Sequence, residues 1–111
     1  MVFAIVHFTV GFVCTLTVLA LVPGDRFRLV GAYCGGVWAL LPDAYHVLAG
    51  RLGARLEALH DSPTADWFFF HHTLDAPGAR AANTELTFLA LAVFGTTVLA
   101  YDLGRVLRAG A

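Results

Sequence analysis

The sequence has no lysine and no glutamine, and only 14% of its residues are charged. Seven arginines and eight acidic residues leave a formal net charge of -1, which excludes a basic nucleic-acid binder. A hydrophobic content of 59% excludes a disordered tail. So little charge would also cover the surface of a soluble 111-residue domain poorly. Cysteine is scarce: Cys14 and Cys34 both lie inside apolar runs, so the disulfide framework of a small secreted domain is excluded. There is no internal repeat, no low-complexity segment, no Ser–His–acid arrangement and no glycine-rich phosphate loop. Exclusive use of arginine as the basic residue fits the codon bias of a GC-rich microbe. What is present is apolar, with a mean hydropathy of +0.73, and that points to a bilayer.

The expected fold is all-α: an integral membrane protein, multi-pass in a prokaryotic cell membrane, forming a single domain over residues 1–111. Residues 2–22 contain no charged side chain and would cover about 30 Å as a helix, enough to cross the hydrocarbon core. A signal peptide is the rival reading, because Val18-Leu19-Ala20 loosely resembles a cleavage site. The segment lacks a basic n-region, and its apolar stretch exceeds the roughly 7–15 residues of a signal. Pro23-Gly24-Asp25-Arg26 is turn chemistry. A second span is expected over 29–49 and a third over 84–103. The connection 50–83 is long enough to carry an amphipathic stretch with Leu52, Leu56 and Leu59 at helical spacing. A short interfacial helix is expected over 63–74, starting at Ser62-Pro63 and ending before Pro77-Gly78. Its four consecutive aromatics, residues 67–70, suit the membrane–water boundary.

Alternating spans would put all five histidines on one membrane face. Gly31, Gly35 and Ala39 recur every four residues, and Asp43 is the next step on that stripe. His7, Gly11 and Thr15 make a matching stripe on the first helix. Packing these stripes together would set Gly11 near Ala39 and His7 near Asp43. His71 and Asp75 are also four apart, on one side of a helix. Imidazoles and carboxylates converging at one depth suit a divalent transition metal such as zinc, manganese or iron. Arginines divide four to three between the two faces, so no positive-inside bias sets the orientation.

His7 with Gly11, then Leu41-Pro42-Asp43-Ala44-Tyr45-His46, then Phe70-His71-His72-Thr73-Leu74-Asp75 form a pattern. It resembles the small inner-membrane metal-dependent hydrolases, some of them LexA-regulated. The resemblance implies a membrane helical bundle in which His7, Asp43, His46 and His71 are metal ligands. His72 or Asp75 would then act as general base or acid on an ester or phosphoester at the headgroup level. The chain is shorter than that family's members. Tyr45 also stands where the family has a second aspartate, His72 where it has arginine, and Asp75-Ala76 where it has Thr-His. Those departures favour a degenerate relative that serves as a subunit of a larger membrane complex, with metal-dependent hydrolysis as the alternative. The expected partners are membrane lipids and either further copies of the chain or other subunits, meeting residues 67–70 and the outer side of 86–101.

Overall fold

A computed structural model describes residues 3–111; residue 2, where the first expected span begins, lies outside them. All of the regular secondary structure among these residues is helical. Its elements are α1 (Ala4–Ala20), α2 (Arg28–Leu40), a 3-10 helix (Leu41–His46), α3 (Gly50–His60), a second 3-10 helix (Pro63–Trp67), α4 (His71–Leu74), α5 (Pro77–Ala81) and α6 (Asn83–Gly110).

The expectation of three membrane-spanning helices is overturned. Among the described residues only α6, with 28 residues, is both long and apolar enough to cross a membrane. α1 is apolar but has 17 residues, about 26 Å at 1.5 Å per residue. α2 has 13, about 20 Å, and both fall short of a hydrocarbon core of roughly 30 Å. Proline is the cause in α2. Pro42 has no N–H to continue the α ladder, and the chain tightens into the 3-10 helix at Leu41. A multi-pass arrangement is therefore not supported.

α1 and α2 pack antiparallel through their small residues. A Cβ on Gly11 would collide with the Gly35 carbonyl and lie 2.8 Å from the Ala39 Cβ. One on Gly35 would strike the Thr15 hydroxyl. Backbones this close leave no room for a larger side chain. Gly31 meets Leu19 instead. Phe12 is fully buried beside Leu16 and Ala32. Phe8, Phe12, Tyr33 and Phe94 make an aromatic cluster with centroids 4.9–6.4 Å apart, which ties α6 to the α1–α2 pair. Edge-to-face pairs of this kind add directional stability to the area they bury.

The segment between α2 and α6 folds back over the start of α1. Gly50 turns the chain at φ +75°, a left-handed value that glycine takes without a Cβ penalty, and α3 starts there. The expected helix over 63–74 is two pieces. Ser62 precedes the 3-10 helix, but its hydroxyl donates to the Leu59 carbonyl at 2.8 Å and leaves the helix uncapped. Phe69 and Phe70 then break the path, with φ of 54° and 62°. Non-glycine residues avoid this region, so outside contacts must hold it. One is Asp66, whose carboxylate accepts the Thr73 N–H at 2.7 Å and the Thr73 hydroxyl at 2.8 Å, clasping the turn that launches α4. Another is Trp38 on α2, which stacks on Phe68 at 4.7 Å and donates its indole N–H to the Trp67 carbonyl at 3.2 Å.

Candidate metal centre

The folded-back segment gathers four chemically active side chains from three helical elements and the residue that follows the last of them. Asp43 comes from the first 3-10 helix, His60 from the end of α3, His71 from the start of α4 and Asp75 from the residue after α4. One ligand atom of each lies within 4.8 Å of all the others. His71 is fully buried, Asp75 is 5% exposed and His60 6%; Asp43 is the most accessible at 12%. Four such groups at this spacing can hold a metal ion.

The hydrogen bonds behind the cluster fix which nitrogens face inward. His71 Nδ1 lies 2.9 Å from the Ala39 carbonyl oxygen, which only accepts, so Nδ1 carries the proton. His60 Nδ1 lies 3.0 Å from an Asp61 carboxylate oxygen, and the same logic holds. In the neutral tautomer both Nε2 atoms therefore present lone pairs. They confront carboxylate oxygens: His60 Nε2 is 3.2 Å from Asp43 Oδ1 and 2.9 Å from Asp75 Oδ2. His71 Nε2 is 3.3 Å from the same Asp43 oxygen. Neither Nε2 and neither Asp43 oxygen has a hydrogen-bond partner, although all are buried. Lone pairs pressed together away from water are costly unless positive charge sits among them, as a proton shared between Nε2 and a carboxylate or as a metal ion held by all four groups. A carbonyl or carboxylate behind each imidazole is also the usual outer support of a metal-bound histidine.

His7 flanks the cluster from α1. Its Nε2 lies 3.2 Å from Asp75 Oδ1, and its ring stacks on His71 with centroids 3.9 Å apart and planes 14° from parallel. Burial holds the His7 pKa below the ordinary histidine value, and repulsion from His71 adds to this against the pull of Asp75 and Asp43. For His71, burial opposes the charge. The Asp43 carboxylate 3.3 Å from Nε2, the Ala39 carbonyl and the Asp75 charge outweigh it, so its pKa is raised.

The remaining expected site residues stand elsewhere. His46 is exposed, three residues beyond Asp43, with its ring 4.0 Å from that of Tyr45. His72 is one residue, about 100°, around α4 from His71. Its backbone N–H and ring act on Asp66. Asp75, expected as an acid or base, stands among the four potential ligands. His60 was grouped with the other histidines on one face, but sequence reasoning left it out of the ligand set. The signal for it was the presence of all five histidines on that face.

No family model, curated protein or solved structure matches this chain.

Proposed function

We propose that this chain is a membrane-associated metal protein. It holds one divalent transition-metal ion through Asp43, His60, His71 and Asp75, and it is anchored by α6. The observation that carries this reading is the convergence of two inward-facing Nε2 atoms and two buried carboxylates within 4.8 Å of one another. Two nitrogen and two oxygen donors, with neither cysteine among them, suit zinc, manganese or iron better than a thiolate-seeking metal. The sequence resemblance to membrane metal-dependent hydrolases adds a chemistry. A metal in such a site lowers the pKa of bound water and polarises an ester or phosphoester. His60 and Asp75 offset the absent second aspartate and the absent Thr-His of that family, so the ligand set is not short of donors. Asp43 is the most exposed of the four, which makes its side the approach for substrate.

The accessory-subunit reading draws on a different observation: only 6% of the apolar window of α6 is buried. Elemental analysis of the purified protein tests the shared claim, with about one metal ion per chain expected in the wild type and none retained in Asp43→Ala. Ester or phosphoester turnover that depends on that metal supports the hydrolase. A full metal complement without turnover supports the subunit. Absence of metal from protein refolded or purified with zinc, manganese and iron each supplied sinks both.

A further inference from the structure

The end of the molecule opposite the His/Asp cluster carries four arginines and two aspartates with no ion pair between them. Arg26, Arg28 and Arg105 line a hollow of about 470 Å³ whose other walls include Leu29, Val30 and Tyr101. A second hollow of the same volume adjoins it, sharing Asp25 and Arg105 and adding Asp102 and Arg108. Among the described residues, every ion pair within 4.0 Å joins a histidine to an aspartate, so none of these guanidinium groups is neutralised by a carboxylate. Arg28 donates through Nη2 to the Val22 carbonyl at 3.0 Å, while its Nε is buried and bonded to nothing. Arg26 lies over the ring of Phe27, 4.9 Å from its centroid, and Phe27 takes a left-handed φ of 63° at the turn that presents both arginines.

We infer that this arginine-lined hollow binds the phosphoryl group of a lipid headgroup. Guanidinium groups match phosphate oxygens in a fork geometry and are more weakly hydrated than ammonium groups. The depth is right for a lipid. On α6, residues 86–101 carry no charge, and the hollow begins where that apolar stretch ends, at Tyr101 and Arg105. Tyrosine and arginine at the end of an apolar helix belong at the headgroup level. Leu29, Val30 and Tyr101 give the first carbons of an acyl chain apolar contact, which a free phosphate would not use. The inference rests on the membrane reading of α6 and is independent of the metal centre.

The test follows thermal unfolding of the full chain in a neutral detergent. Phosphatidylglycerol, the diacylglycerol of the same chains, or inorganic phosphate is added. Phosphatidylglycerol is expected to raise the midpoint by several degrees, because a ligand that binds only the folded state stabilises it. Diacylglycerol and free phosphate are expected to leave it unmoved. Arg26→Gln/Arg105→Gln alters two exposed side chains and should lose the shift while keeping the wild-type helical circular dichroism and lipid-free midpoint, which report an intact fold. An equal shift from diacylglycerol, the full shift from free phosphate, or a full shift retained by the double variant overturns the inference. A chain that remains monodisperse without detergent overturns the membrane reading beneath it, a failure distinguishable from the other three.

Discussion

His7 and His71 stack face to face with centroids 3.9 Å apart, joining the first turns of α1 to α4 across 64 residues of sequence. The contact couples the helical scaffold to the folded-back segment, and through Asp75 it couples both to the cluster. His7 makes no second bond among the potential ligands, because its Nδ1 is buried without a partner. It is therefore a positioning residue, holding Asp75 Oδ1 so that Oδ2 faces inward.

That role gives the first prediction. His7→Phe keeps the stack and removes the bond to Asp75. Metal affinity should fall about 10–100-fold, the usual effect of losing an outer partner, with stoichiometry unchanged at saturation. A competition titration against a chelator measures it, and an unchanged affinity would show that Asp75 needs no such support.

The second prediction concerns the clasp around Phe68–Phe70. Burial, the largest single influence, disfavours the Asp66 charge. The Thr73 N–H and hydroxyl, with the nearby His72, outweigh it and hold the carboxyl below its ordinary value. A group whose pKa is depressed on folding contributes stability above its unfolded pKa and loses it as pH falls through the folded value. Wild type should therefore lose more stability than Asp66→Ala on acidification below the ordinary aspartate pKa of about 3.9. At neutral pH the variant should be less stable by about 1 kcal/mol, from the lost charge-assisted bonds. Parallel unfolding curves at all pH values would show that the clasp is idle.

The third prediction tests the α1–α2 contact. Gly35→Leu has no space against Thr15, and the overpacking should cost on the order of 1–3 kcal/mol. Gly95→Ala, on α6 where nothing lies within 4 Å of an added Cβ, is the control. It should be neutral or stabilising by up to about 1 kcal/mol, since alanine is the better helix former. Thermal unfolding in one detergent compares them, and equal midpoints for Gly35→Leu and wild type would remove Gly35 from the interface.

Much of this arrangement was legible in the sequence. The small-residue stripe set Gly11 against Ala39, the apolar run 86–101 marked α6, and the histidines pointed to one end of the molecule. Helix length was less legible. Apolar composition alone does not register that Pro42 tightens the chain into a 3-10 helix and ends α2 near 20 Å, and this removed the second span. The same change decides the ligands. A 3-10 helix rises about 2 Å per residue, so His46 sits roughly 6 Å along the axis from Asp43. His60 returns to the cluster because Gly50 adopts φ +75° and sends α3 back. Periodicity gave the depth of His60 but could not give that turn. The left-handed Phe69 and Phe70, which divide the expected single helix, are held by Trp38 from α2 and by the Asp66–Thr73 clasp, neither of which shows in hydrophobic periodicity.

A cobalt(II) titration followed by visible absorption tests which imidazole joins His71 at the centre. Wild type should bind one ion per chain with the intense ligand-field bands of a low-coordinate nitrogen–oxygen site. His46→Ala should titrate like wild type. His60→Ala should lose affinity by more than the roughly 10–100-fold typical of an outer-shell partner, with altered bands. The reverse pattern, with His46→Ala crippled and His60→Ala intact, would contradict the centre described here.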